Sequence, residues 1–195
     1  NGKIRSAFLM TEPDVASSDA TNIETSIVRD GDSYIINGRK WWSSGAGDPR
    51  CAISIVMGKT DPNAPRYNQQ SMIVVPMDTP GVTVGKSDKK MGQAGSHIAD
   101  IIMEDVKLPA DAILGGEEGR GFAFAMQSLD NGRLSVGAAA AGYARRALDS
   151  ALRYANERKA FGEPIANFQL IQQMLADSEI EIYAAECMLE DAARR

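Results

Sequence analysis

Two short segments carry the residue types best suited to ligand chemistry. One runs from Phe8 to Asp19 and reads Phe-Leu-Met-Thr-Glu-Pro-Asp-Val-Ala-Ser-Ser-Asp; the other begins at Gly38 and reads Gly-Arg-Lys-Trp-Trp-Ser-Ser. An apolar strand end followed by Thr11, Pro13, Ser17 and Ser18 offers backbone N–H groups and short hydroxyls to a planar or phosphorylated ligand. Adjacent tryptophans, Trp41 and Trp42, can wall off one face of a ring. Each segment also has a purely structural reading. Ser and Thr clusters commonly cap backbone groups at the end of a strand, and in a regular strand the two tryptophans alternate, which sends one of them into the core.

Bulk properties remove several other chemistries. The 195 residues are 44% hydrophobic and 24% charged, the range of folded, globular chains. The formal charge is −5, with acids and bases interspersed, so there is no basic face for nucleic acid. His97 is the only histidine, which leaves no material for a histidine metal site or a serine–histidine triad, and the expected metal set is none. Cys51 and Cys187 belong to neither a CxxC pair nor a metal-ligand spacing and fit a reducing compartment. No run reaches the ~18 apolar residues of a membrane span, and no basic-then-apolar leader opens the chain. The start at Asn1 and the end at Arg194-Arg195, inside a helical pattern, read as cuts in a longer protein.

The elements that must position these residues fall into two halves. Spans 4–9, 22–29, 33–42, 52–59, 71–76, 82–86 and 98–106 are β-rich and separated by Gly, Pro, Asn and Asp, the pattern of antiparallel sheets. Asp30-Gly31-Asp32 is a hairpin signal, and Ile36-Asn37-Gly38-Arg39 a second turn or a bulge. From Gly119 the period becomes helical, with Phe122, Ala125, Met126 and Leu129 on one face. Asn131-Gly132 predicts a kink, since Gly costs about 1 kcal/mol relative to Ala inside a helix. After a loop at Phe161-Gly162-Glu163-Pro164, a last helix starts near Asn167. It carries Ile171, Met174, Leu175, Ile180 and Ile182 on a buried stripe, with Glu179, Glu181 and Glu190 solvated. Met91, Met103 and Met126 read as core filler, and His97 as a surface or turn residue. The fold class is α+β: an antiparallel β-barrel or sandwich over 1–112, then the first helices of an up-down four-helix bundle over 113–195.

Six motifs follow one another along the chain: Met10-Thr-Glu-Pro, Asn37-Gly-x-Lys-x-Trp, Met91-Gly-x-x-Gly-Ser, Glu104-Asp-Val-x-x-Pro, Gly119-x-Gly-Phe and Glu157-Arg-x-x-Phe-Gly. In this order they resemble the acyl-CoA dehydrogenase family across essentially the whole chain. The resemblance implies a middle β-domain followed by the start of the C-terminal helical domain. The first part is similar to the subgroup fused to a kinase-like domain.

The resemblance also implies roles. FAD is the implied cofactor, held by Phe8, Met10, Thr11 and Ser17 along the strand end and its loop, with Trp42 packed on the ring and the Ser44 hydroxyl at its reactive nitrogen. Ser18, Asp130 and Arg133 match positions that contact the acyl-CoA substrate. Arg158, Phe161 and Gln169 match positions that reach the FAD of a neighbouring subunit, which implies a homo-oligomer, dimer or tetramer. The catalytic glutamate of most family members lies in later helices, expected beyond Arg195; a minority place it where this chain has Gly132, which cannot act as a base.

The implied activity is FAD-dependent α,β-dehydrogenation of a fatty acyl-CoA to the trans-2-enoyl-CoA, with electrons passed to an electron-transfer flavoprotein. The chain alone is expected to be inactive. The competing expectations are an oxygen-reactive relative, either an acyl-CoA oxidase or a flavin monooxygenase, and a non-catalytic scaffold. The expected location is cytoplasmic if bacterial, and mitochondrial or peroxisomal if eukaryotic.

Overall fold

The computed structural model describes residues 2–93 and 95–195. Asn1, and Ala94 inside the Met-Gly-x-x-Gly-Ser motif, lie outside the described residues. The chain divides into two units, Asn1–Met126 and Gln127–Arg195.

In the first unit the strands are β1 (Arg5–Leu9), β2 (Ser26–Asp30), β3 (Ser33–Ser44), β4 (Cys51–Lys59), β5 (Gln70–Pro76), β6 (Val82–Ser87) and β7 (Ile98–Pro109). The Gly-, Pro- and Asn-rich breaks in the sequence coincide with their ends, because those residues withhold strand donors or favour turn conformations. Among the described residues all seven strands join one sheet in the order β1-β4-β2-β3-β7-β6, with β5 on the other side of β4. Two pairings correct the antiparallel expectation. β1 runs parallel to β4 from Arg5↔Cys51 to Leu9↔Val56, and β2 meets β4 in parallel at Ser26↔Lys59. A local sequence pattern carries no information about a partner dozens of residues away. The segment 22–25 leaves the expected second strand, because Asp19 caps a short 3-10 turn at Ala20–Asn22.

One face of the sheet closes on Leu9, Ile27, Tyr34, Ile36, Val56, Ile73, Val75, Ile101, Met103 and Val106, all almost fully buried. At ~25 cal/mol per Å² of apolar area this cluster is the main stabilising term of the unit. Met91 departs from the core-filler expectation and is fully exposed.

Two bulges shape β3 and β7. Opposite Ile36–Gly38, β7 carries one extra residue, and Asp105 there adopts a φ of 48°. Asn37 clamps it: its Nδ2 donates to Asp105 Oδ1 at 3.0 Å, and its Oδ1 accepts the Asp105 N–H at 2.8 Å. Gly38 is required beside it, because a Cβ there would lie 2.9 Å from the Thr25 Cα. The second bulge is on β3, where Lys40 pairs with Ile101 but Ser43 with Ala99, so Trp41 and Trp42 occupy one residue more than the opposing strand.

Helix α1 (Gly121–Glu157) crosses from the first unit into the second. It runs unbroken through Asn131-Gly132, where a kink was expected. One glycine's ~1 kcal/mol is small against the helix-forming residues on both sides. After it come a two-residue-strand hairpin, β8 (Lys159–Ala160) with β9 (Glu163–Pro164), and helix α2 (Gln169–Arg194). Phe161 and Gly162, with φ of 55° and 91°, form the hairpin turn. Within the second unit Arg145 ties α1 to α2 through Glu179 and Glu186, the latter at 2.9 Å, so Glu179 is paired rather than merely solvated. Ile182 is buried as expected; Met174 and Ile180, placed on the same stripe by sequence, are exposed. Among the described residues no helix is long and apolar enough to cross a membrane, and no group of metal-ligating side chains forms.

Candidate functional site

The site is built where the continuation of β1 meets β3. Alternation along β1 buries Ala7 and Leu9 and turns Phe8 outward, 41% exposed. Beyond the strand the chain runs on through Met10 and Thr11, and the Thr11 carbonyl accepts the Trp41 N–H at 3.1 Å. This bond closes the curl of the sheet and brings the two sequence-predicted segments together. Among the described residues, neither the Thr11 N–H nor its hydroxyl has a partner within the chain. A half-buried residue with two free hydrogen-bonding groups is suited to a ligand.

The tryptophans do not alternate. Trp42 takes a φ of 52°, and the bulge lays its ring on that of Trp41, with centroids 3.8 Å apart and planes 11° from parallel. Trp42 is 58% exposed and offers a flat outer face. Trp41 is half-buried, and its Nε1 is enclosed without a partner among the described residues. Ser44, at the end of β3 and paired with Ile98, is exposed.

Beneath this face lies a pair that sequence reasoning missed. Lys40, fully buried, donates from Nζ to Glu12 Oε1 at 2.8 Å, to the Met10 carbonyl at 2.9 Å and to the Met57 carbonyl at 2.7 Å. All three ammonium protons are therefore placed. Glu12 in turn accepts the N–H of Glu24 at 2.7 Å and of Thr25 at 2.9 Å. Burial pushes Lys40 down to about 8, with Glu12 opposing the shift. Burial raises Glu12, but the Lys40 charge and the three hydrogen bonds from Lys40, Thr25 and Glu24 outweigh it and hold the carboxyl below its usual range. Both residues stand inside recognised motifs; their pairing is invisible in a local reading because 28 positions separate them.

The serine loop divides into a fixed and a free part. The Ser17 hydroxyl is turned inward, accepting the Glu12 N–H at 3.0 Å, so it braces the loop. Ser18 is exposed. Asp19 accepts the Thr21 hydroxyl at 2.6 Å and Arg66 Nη2 at 2.9 Å, which fastens this loop to the one before β5; the Thr21 hydroxyl first, and then its N–H and Arg66, hold the Asp19 carboxyl below its usual range.

The second unit carries two further groups. Asp130 and Arg133 pair at 3.3 Å on the exposed surface of α1, bordering a groove of about 670 Å³ with Leu134, Gly137, Met188 and Leu189. Arg158, Phe161 and Gln169 gather around the β8–β9 hairpin: the Arg158 carbonyl accepts the Ile165 N–H at 2.9 Å, and Phe161, 95% exposed at the tip, meets Phe168 edge-on at 6.2 Å. Along α1 the rise of ~1.5 Å per residue sets Arg133 and Arg158 roughly 40 Å apart. They cannot grip one small group within one chain.

Both parts of the chain match known proteins. Residues 7–106 match the description "Acyl-CoA dehydrogenase, middle domain" and residues 119–195 match "Acyl-CoA dehydrogenase, C-terminal domain". The chain is 52% identical over 194 residues to the probable acyl-CoA dehydrogenase FadE2 of Mycobacterium tuberculosis, covering 99% of this chain and 47% of that protein. It superposes with a TM-score of 0.88 at 37% identity on butyryl-CoA dehydrogenase from Megasphaera elsdenii, covering 97% of this chain and 49% of that one. A glutaryl-CoA dehydrogenase from Mycobacterium smegmatis, solved in complex with FADH2, gives 0.84 at 29% identity over 96% of this chain and 46% of that one. The chain spans about half the length of these relatives. By both its domain matches and its fold, it belongs to the acyl-CoA dehydrogenase family.

Proposed function

We propose that the full-length protein is an FAD-dependent acyl-CoA dehydrogenase that converts a fatty acyl-CoA to its trans-2-enoyl-CoA and hands electrons to an electron-transfer flavoprotein. The observation that carries this reading is the Thr11–Trp41 junction, which sets free donors at Thr11 beside the exposed, flat face of Trp42. Hydrogen-bonding groups at one edge and an aromatic wall at one face suit a planar heterocycle, so the residues present fit FAD.

In this reading a bound FAD supplies the acceptor for the hydride leaving the acyl β-carbon. Thr11 and Met10 hold the ring edge, Trp42 covers one face, and the exposed Ser44 hydroxyl donates where negative charge develops. Ser18 faces the acyl-CoA, while Ser17 supports the loop through the Glu12 backbone. Asp130 and Arg133 bind the CoA portion along their groove. Arg158, Phe161 and Gln169, exposed around one hairpin, reach the FAD of a neighbouring subunit, so the working form is a homo-oligomer. Gly132 stands at the alternative base position and carries no proton acceptor. The carboxylate that removes the α-proton is therefore assigned to a part of the protein outside these residues.

The test is anaerobic titration of the purified full-length protein with acyl-CoA. Bleaching of a bound yellow flavin, followed by slow recovery in air, supports the dehydrogenase. Rapid peroxide formation on admitting air supports an oxygen-reactive relative instead. A colourless protein that FAD does not stabilise supports a scaffold.

A further inference from the structure

We infer that Lys40 is a positioning residue that sets the donor strength of the Thr11 N–H by anchoring the carbonyl of the same peptide unit. The inference rests on the flavin reading above and names a control that reading does not contain.

The Met10 carbonyl and the Thr11 N–H are two ends of one planar, conjugated amide. A cation bonded to the carbonyl draws electron density toward oxygen and leaves the N–H more acidic, the cooperative strengthening expected in a chain of hydrogen bonds. Lys40 Nζ is 2.9 Å from the Met10 carbonyl oxygen. The next carbonyl, that of Thr11, is held by the Trp41 N–H at 3.1 Å. The donor is thus polarised from one side and fixed in direction from the other, while remaining unpartnered among the described residues.

The ammonium is enclosed and its remaining protons are committed to Glu12 and to the Met57 carbonyl, so it has no freedom to turn elsewhere. Such a donor, aimed before a ligand arrives, costs no reorganisation when negative charge builds up at the ring edge. A buried ammonium must place all three protons, and one of them here goes to the peptide unit that carries the Thr11 N–H. Burying a salt bridge in place of apolar residues is costly, and removing both charges together can leave stability unchanged.

The experiment uses the full-length protein in three forms: wild type, the double variant Glu12→Gln/Lys40→Met, and Lys40→Arg. The double variant leaves no buried charge without its partner. Each is titrated with FAD as apoprotein, and the midpoint potential of the bound FAD is measured by dye equilibration. The double variant is expected to bind FAD about tenfold more weakly, the equivalent of one lost charge-assisted contact, and to hold it at a lower potential. Lys40→Arg, which keeps the charge, is expected to restore most of both. A double variant with wild-type FAD affinity and potential overturns the inference whether or not Lys40→Arg folds. Wild-type protein that binds no FAD overturns the flavin reading itself, a separate outcome visible before any variant is compared.

Discussion

Trp41 and Trp42 stack face to face, centroids 3.8 Å apart, although they are consecutive residues of one strand. A regular strand would send them to opposite faces; the bulge and the left-handed backbone at Trp42 bring them together. The left-handed conformation costs about 1–2 kcal/mol for a residue with a Cβ, and an aromatic stack returns about 0.5–1.5 kcal/mol. The near cancellation leaves the exposed ring face as the net gain. Trp42→Gly is expected to keep thermal stability close to wild type, because strain and stack disappear together. Trp42→Val loses the stack, keeps the strain and should unfold at least about 1 kcal/mol more easily. Both should bind FAD weakly. Equal stability of the two variants in thermal melts would refute the strain assignment.

Gly38→Ala should be among the costliest single changes in the first unit. The added methyl meets the Thr25 backbone at 2.9 Å, where nothing flexible can give way. Overpacking of this kind costs about 1–3 kcal/mol, and the value here is expected at the upper end. Urea unfolding measures it; a loss under about 1 kcal/mol would mean that the bulge can reopen.

Asp48 predicts a pH dependence. Its buried carboxylate receives Arg50 Nη2 at 2.7 Å and Nε at 3.0 Å, with Arg5 at 3.4 Å and His97 at 3.6 Å. The Arg50 side chain above all, then its backbone N–H, holds this carboxyl far below the usual range. The folded state therefore binds the proton more weakly than the unfolded chain does, and stability from this group is complete above the ordinary carboxylate pKa of ~4 and lost as pH falls below it. Asp48→Asn should lower the melting temperature at pH 7, and the gap to wild type should narrow steadily below about pH 4. A gap that stays constant down to about pH 2 contradicts the assignment.

Arg145→Met tests the link between α1 and α2. Its partners Glu179 and Glu186 are partly exposed, so the pairing is weakened by solvent and salt. The deficit of the variant should fall as salt is raised, and denaturation at low and high ionic strength decides the point.

Ser44 separates a hydroxyl role from a packing role. Ser44→Ala in the full-length protein should slow flavin reduction by acyl-CoA at least about tenfold, as loss of a charge-stabilising donor does; Ser44→Thr should retain the wild-type rate. Stopped-flow absorbance distinguishes them, and an unchanged rate in Ser44→Ala removes the residue from the site.

How much of this was legible in the sequence depends on the range of the interaction. Strand positions, the Asp30-Gly31-Asp32 hairpin and the bulge near Gly38 were readable because Gly, Asn and Asp impose local backbone geometry. The parallel pairing of β1 with β4 was not, since nothing between Arg5 and Leu9 encodes a partner beginning at Cys51. Thr11 and Trp42 were found as residue types; what joins them is one backbone bond, Thr11 to Trp41, that has no side-chain signature. Lys40 and Glu12 stood inside quoted motifs without roles, because a charged residue reads as solvated until its partner is seen. The kink at Gly132 failed for the opposite reason, a local penalty too small against a long helix.

The Thr11–Trp41 closure has a kinetic consequence. It depends on β1 lying against β4, a contact between chain segments more than forty positions apart, whereas the hairpin of β2 and β3 needs only a two-residue turn. Loop-closure entropy makes distant pairings late events in folding. The Thr11 edge and the tryptophan pair therefore both wait on distant pairings, β1 with β4 and β3 with β7, and both are expected to take shape after the local hairpin.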